Sequence, residues 1–431
     1  MDAPVGRVPL AHKLLYGLGY LTVALTTNMT MTWILTRYRP VSGDPRWPVL
    51  VSAGALTLAM VLGRLIDAVA DPLVGYWSDR TRTRWGRRKP FILIGGPLLT
   101  LMFVLLWVPP VPALSLTNAI YLAVTASLFF FTFTVVVCPY LAMLPEITAD
   151  PAERISLTAW QGGFNVIGAV GGMAVAGWLI DARGYLAMAL IIAPVVLLCG
   201  WAPLFVPTPV QAEAPCDLPL RQAIVSTLRN AWFLPYVLSQ VLFWLALSVV
   251  LAAGPQIVQV RAGASETERG LAMATALVVA ALCFPLMRGV ATRMGKRRLL
   301  LGATVWFGLV MIPLALLGRL PLPLSALGQA FVVMALAGPA VAALFSLPNA
   351  MVADIVDHDA EQTGQRREAI YFGVQGLLVK AGMGLGIGVA ALLLAHFGDT
   401  LARPGGFVAC PLAALALAWA SAAVLTRYRG D

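Results

Sequence analysis

The chain has 431 residues, of which 59% are hydrophobic and 12% charged, against about 45–50% and about 25% in ordinary soluble domains. That balance excludes a water-soluble globule of this size. The formal net charge of +10 would suit a nucleic-acid binder, but Arg80, Arg82, Arg84, Arg87, Arg88 and Lys89 fill one loop and Arg293, Lys296, Arg297 and Arg298 another, so the balance reports the Lys/Arg excess of cytoplasmic loops and no nucleic-acid partner is expected.

Apolar stretches long enough to cross a bilayer, each on the order of 20 residues, recur along the chain. In order they are 14–36, 49–77, 90–108, 117–143, 156–180 and 185–205, then 231–255, 269–288, 298–318, 325–350, 369–396 and 405–426. Runs such as 187–199 are apolar all round, unlike the alternating strands of an outer-membrane barrel. The expected fold is an all-α polytopic membrane protein with twelve transmembrane helices in two six-helix halves, 1–206 and 231–431. Between them the polar stretch 207–230, with Pro207, Pro209, Pro215 and Pro219, reads as a cytoplasmic linker, and 220–228 within it as a short surface helix.

Both basic loops fall on one side of an even number of spans, which places both termini in the cytoplasm of a multi-pass protein of the cell (inner) membrane. His12, Lys13, Arg427 and Arg429 agree. Lys13 runs directly into the first span without a cleavable-leader pattern, so that span is expected to be retained. Cys138, Cys199, Cys283 and Cys410 lie in spans and Cys216 in the linker, with neither metal nor disulfide spacing. No nucleophile elbow, phosphate loop or metal motif appears, so neither enzyme chemistry nor a cofactor is expected.

The halves repeat. Gly86-Arg87-Arg88-Lys89 recurs as Gly295-Lys296-Arg297-Arg298, 209 residues on. Ala142-Met143-Leu144-Pro145-Glu146-Ile147 recurs as Ala350-Met351-Val352-Ala353-Asp354-Ile355, 208 residues on. Two matches at nearly one offset indicate a six-plus-six duplication, the construction that places a solute site between two halves.

Asp67 and Asp71 lie in the middle of the second span, with Arg64 one turn earlier. Ionisable groups at that depth are costly and mark function. Residues four apart share a helix face, so the two carboxylates converge on one point, where they either bind a hard cation or share a proton. At the repeat offset of 208 the same positions are Thr275 and Val279, so the pair is not scaffold common to both halves. A structural ion pair of Arg64 with one aspartate leaves the other unexplained.

Lys380 sits deep in the eleventh span. It either balances the aspartates or holds an anionic group of the solute. The first role is preferred, because Arg64 and two aspartates leave a net −1 that Lys380 cancels. Asp79, Arg80, Arg87, Arg88, Glu146, Arg154, Arg366 and Arg367, with Asp150 and Glu153 nearby, lie at the cytoplasmic ends. They read as gates that hold the inner helix ends together in one state and part in another. Glycines of the fifth and eleventh spans, among them Gly162, Gly163, Gly177 and Gly384, read as close-packing positions.

The run Asp67-Ala68-Val69-Ala70-Asp71-Pro72-Leu73-Val74-Gly75-Tyr76-Trp77-Ser78-Asp79-Arg80, continued by Trp85-Gly86-Arg87-Arg88-Lys89-Pro90-Phe91, resembles the glycoside-pentoside-hexuronide:cation symporters of the major facilitator superfamily, typified by the melibiose permease. Pro139-Tyr140-Leu141-Ala142-Met143-Leu144-Pro145-Glu146 and Asp354-Ile355-Val356-Asp357 extend the resemblance. It implies a cation-coupled symporter of a small organic solute, sugar or glycoside-like, with H+ or Na+ as coupling ion. By the same resemblance Asp67, Asp71 and Thr134 bind the cation, while Lys380, Arg64, Gln161 and Tyr140 serve the solute or the charge balance.

Three departures qualify the resemblance. The sugar-contacting aspartates of melibiose-type members fall on Ala24 and Val137, a basic residue of the fifth helix is Gln161, and Ala70 replaces an amide next to the second aspartate in some sodium-using members, which favours the proton. Members that carry lysolipids give a second expectation, transport of an amphipathic anion. A non-transporting membrane scaffold is a third, disfavoured because it has no need of buried charge. The expected partners are the solute and membrane lipid, and the expected state is a monomer.

Overall fold

The computed structural model describes residues 7–148, 150–208, 227–363, 368–400 and 402–430. In the first half the long helices are α1 (Leu10–Tyr38), α2 (Ala53–Arg80), α3 (Lys89–Leu105), α4 (Leu116–Ala142), α5 (Pro151–Val170) and α6 (Ala176–Trp201), with single turns at Leu144–Ile147 and Ala202–Phe205. A π turn, Gly171–Val175, joins α5 to α6. In the second half they are α7 (Phe233–Ala262), α8 (Glu266–Met294), α9 (Lys296–Ala315), α10 (Ala326–Thr363), α11 (Glu368–Phe397) and α12 (Gly405–Leu425). Of the expected surface helix 220–228, residues 220–226 lie outside the described residues, as do residues 209–226 of the expected linker.

Among the described residues, nine helical segments are long and apolar enough to span a bilayer. Three features separate this from twelve. α1 carries six threonines, which lower its hydropathy; α3 has only 17 residues; and one segment, Ser156–Phe205, contains two expected spans. That segment breaks at Gly184, whose φ of 80° and ψ of 175° lie where a Cβ is strained, between the expected spans 156–180 and 185–205. α10 runs beyond its expected end at 350 to Thr363, its last turns carrying Asp354, Asp357 and Asp359 outside the apolar zone.

Sequence chemistry explains which faces pack. On α2, Leu58, Leu65, Val69 and Leu73 are exposed while Arg64 and Asp67 are buried, the inverse of a soluble helix. In lipid the leucines face solvent and the charges must turn inward. α1 packs on α5, α2 on α4, and α2 crosses to α11 of the other half.

The two halves use matching devices. Ser115 accepts the backbone N–H of Asn118 at the start of α4, and Ser325 that of Gly328 at the start of α10. The amide oxygen of Asn118 accepts from Val111 N, and that of Gln329 from Gly318 N, each tying the preceding loop to its helix. Arg87 lies 2.8 Å from Glu146, and at the repeat positions Lys296 lies 2.6 Å from Asp354.

α1 starts at Leu10 and ends beside Arg39, which pairs with Asp399 just before α12. Leu10 and Leu425 therefore sit at one end of the molecule, the termini end, and the Arg39–Asp399 pair at the other, the distal end.

Candidate functional site

The helical spacing of α2 puts Arg64, Asp67 and Asp71 on its inward face, where α4 and α11 complete the site. Arg64 Nη1 lies 3.3 Å from Asp67 Oδ2, and its guanidinium stacks 4.2 Å from the centre of the Phe130 ring. Thr134 of α4 donates its hydroxyl to Asp67 Oδ1. Lys380 Nζ, from the opposite half, lies 3.0 Å from Asp67 Oδ1 and 2.7 Å from Asp71 Oδ2. Two cations and two carboxylates thus make a neutral set, which offsets part of the desolvation cost of burying them.

The set has a dry end and a wet end. Asp67 is fully buried, whereas the side chain of Asp71 is 36% exposed and that of Lys380 23%. α11 reaches α2 because Gly384 has no side chain: a Cβ there would stand 2.7 Å from Arg64 Cγ and 3.2 Å from Met60 O. Gly384, one turn beyond Lys380, is thus the close approach that lets the ammonium touch both carboxylates.

A cavity lies between the halves, lined on the first by Tyr20, Ala24, Thr27, Asn28 and Asn165 and on the second by residues including Trp244, Phe307, Met334 and Phe345. Asp67 and Asp71 were expected to face it, but they do not line it. Met31 and Met383 line the cavity instead, and Met31 Sδ accepts from Arg64 Nη2 at 3.9 Å, so methionine separates the ion set from the cavity. Ala24 does line it, with a methyl at the position where the resemblance puts a sugar-contacting carboxylate.

Gln161 and Tyr140 are not brought to Lys380. Gln161 Nε2 donates to Tyr140 Oη at 2.9 Å, and Tyr140 Oη to Tyr16 O at 2.8 Å. This separate knot ties α5 and α4 to α1.

The expected gates also differ from expectation. Arg87 and Arg88 both reach Glu146, at 2.8 and 3.1 Å, and Arg154 Nε donates to Thr148 O at 2.9 Å. Arg80 stacks on Tyr76. Each of these described contacts stays within the first half, so none holds the halves together. Arg366 and Arg367 lie outside the described residues, as does the side chain of Asp79. Lys13 pairs with Glu153 at 2.8 Å; this hydrogen bond, assisted by Val8 N, lowers the Glu153 carboxyl below its usual range against the opposing effect of desolvation.

Besides the Lys380 bridge, cross-half contacts sit at the distal end, in residues to which the sequence analysis gave no role. Arg39 pairs with Asp399 at 3.2 Å, and Arg39 O accepts from Gln256 Nε2 at 2.7 Å. Arg46 reaches Asp181 at 2.9 Å and Glu266 at 3.4 Å. Desolvation works against the Arg46 charge, but the hydrogen bond to Asp181 and the fields of Glu266, Asp181 and Asp44 outweigh it and raise the guanidinium above its ordinary range. Asp181 also accepts from Thr267, and Asp44 from Gln259. Glu266 and Arg269 form an ion pair with both side chains fully buried.

This architecture, two repeated helical halves around a cavity with an ion set bridging them, defines a membrane transport protein. Residues 15–421 match the family described as MFS/sugar transport protein, and the chain belongs to that family. It is 34% identical to the inner membrane symporter YicJ of Escherichia coli strain K12 over 163 residues, 38% of this chain and 33% of that protein. That match, like others of comparable identity, spans only about a third of the relative's length. It is 23% identical to the isoprimeverose transporter of Lactiplantibacillus pentosus over 423 residues, covering 93% of this chain and 82% of that one. The fold matches the crystal structure of the nucleoside transporter NupG with a TM-score of 0.67 at 13% identity, over 96% of this chain and 98% of that one.

Proposed function

We propose that this chain is a secondary active transporter that couples H+ or Na+ to the symport of a small organic solute, sugar or glycoside-like, by alternating access. The observation that carries this reading is Lys380 of one half held by Asp67 and Asp71 of the other. An ammonium between two carboxylates stands where a coupling cation has to bind. A proton or Na+ arriving there competes with Lys380 and weakens an attraction between the halves. Ion occupancy then has a differential energy between two arrangements, which coupling requires.

For Na+, the oxygens of Asp67, Asp71 and Thr134 are hard ligands of the right type. For H+, Asp71 at the wet end is the acceptor. The basic loops lie at the termini end, so the Lys/Arg rule puts that end in the cytoplasm of the inner membrane, and the arrangement is one closed outside. The Glu146 and Asp354 pairs act as clamps inside each half in this state. The protein works as a monomer in contact with lipid.

The test is uptake in reconstituted liposomes. Asp67→Asn and Asp71→Asn should each abolish gradient-driven accumulation while solute exchange survives, and undiminished cation-driven uptake in either would sink the assignment. Imposing a pH gradient or a Na+ gradient separately identifies the ion. Lys380→Gln should displace the pH or Na+ dependence of binding.

A further inference from the structure

The cavity deepens that reading by pointing to a class of solute. Among the described residues its fourteen lining residues from the second half, Trp244 to Met383, carry no hydroxyl, carboxamide or charge, and their only strong donor is the Trp244 indole N–H. Trp244 and Phe345 meet edge to face, ring centres 5.4 Å apart. The hydrogen-bonding side chains, Tyr20, Thr27, Asn28 and Asn165, all stand on the first half. Asn28 spends one donor on Ala24 O, while the Asn165 carboxamide has no hydrogen-bond partner among the described residues.

We infer that the cavity takes an uncharged glycoside with an apolar aglycone, aryl or short alkyl, with its sugar edge on the first half and its aglycone against Trp244 and Phe345. Charge is excluded by the wall itself. Among the described residues no ionisable side chain lines the cavity apart from the Tyr20 phenol, and Lys380 and Arg64 are already held by carboxylates. An anion entering there would be desolvated without a counter-charge. A free sugar carries hydroxyls all round, and those turned to the second half would lose water without finding a partner. An aglycone removes that mismatch and adds aromatic contact of the edge-to-face or offset kind.

The inference rests on the transport reading, and the experiment separates the two. Purified protein in nanodiscs is titrated with phenyl, hexyl and methyl glycosides of gluco, galacto and xylo configuration, the corresponding free sugars, and an anionic lysolipid. Binding is read by thermal shift and tryptophan fluorescence. For the sugar that binds, the phenyl glycoside should bind at least about tenfold tighter than the methyl glycoside. Phe345→Ser should bring that ratio close to one. Phe345→Leu, the gentler variant, should lower it, and Asn165→Ala should weaken every glycoside alike.

Equal binding of phenyl glycoside and free sugar overturns the inference and leaves the transport reading standing. So does preference for the lysolipid. A flat response to the whole panel also overturns it. The transport reading is then judged without an organic solute, by whether Na+ or pH shifts the thermal midpoint of the wild type and Asp67→Asn abolishes that shift.

Discussion

At the distal end, Arg46 from one half reaches Glu266 of the other, and Arg39 reaches Asp399; at the termini end, Arg87 and Lys296 each close on a carboxylate of their own half. Glycine positions show the same division. A Cβ on Gly177 would stand 2.4 Å from Glu266 O, and one on Gly270 2.2 Å from Met173 O, both across the halves, whereas Gly162 and Gly163 have nothing within 4 Å. The expectation that all the fifth-span glycines serve close packing therefore holds for the distal ones and fails for Gly162 and Gly163. Polar groups and small residues at the distal end fasten the halves to each other, and at the termini end they stiffen each half separately. One rigid half can then rock against the other about the level of Asp67.

Removing the buried anion at the distal end tests that division most severely. Glu266→Gln leaves Arg269 charged with both side-chain positions fully buried, and such uncompensated charge costs about 3–5 kcal/mol. A lowered thermal midpoint with loss of the distal-closed state is expected. A midpoint equal to wild type would mean that the pair does not fasten this end.

A steric wedge acts on geometry without touching charge. Gly270→Ala drives a methyl against the Met173 backbone, an overpacking of about 1–3 kcal/mol, so closure at this end should fall about fivefold or more. Spin labels at positions 44 and 259, where Asp44 and Gln259 meet, should report a longer distance. Gly163→Ala, in open space in this state, should leave that distance unchanged. If both variants behave alike, the contrast between the two ends is wrong.

The Arg39–Asp399 pair is partly exposed, 16% and 11%, and pairs at the edge of water contribute about 0–1 kcal/mol. Asp399→Asn should shift the distal open–closed balance by a factor of about two to five, with the effect shrinking as salt rises. An unaltered balance at low salt would assign distal closure to Glu266 and the glycine contacts alone.

The ion set was legible because a charge inside an apolar run is conspicuous: Asp67, Asp71 and Lys380 stood out one by one, and α2 spacing joined the first two. That Lys380 bridges them across halves was preferred from charge balance alone. The distal network was illegible for the converse reason. Arg39, Asp44, Arg46, Glu266, Arg269 and Asp399 all sit at span ends, where charge is ordinary and partners are set by how two halves dock. Asn118 and Gln329 carried a signal that was missed, polar residues 211 positions apart at the starts of the fourth and tenth spans. The residues expected as gates lie at helix ends but pair inside their own half, because a sequence does not state which conformation a contact belongs to.

The smallest effect is expected at the termini end, from Glu153. Its folded carboxyl lies below the usual range because Lys13 and Val8 N stabilise the anion. The folded state therefore binds the proton less readily than the unfolded chain, and stability rises with pH wherever the unfolded state holds more protons. The contribution is fully present above the ordinary carboxylate range and is lost as pH falls through the lowered folded value. Glu153→Gln should remove that segment of the acid dependence, so wild type and variant differ near neutral pH and converge in acid. Because the pair joins Lys13 of α1 to α5 inside one half, distances between labels at 44 and 259 should be the same in the variant as in wild type at every pH. An acid profile left intact would show that the pair does not stabilise this half, and moved distal labels would show that this end does more than stiffen its own half.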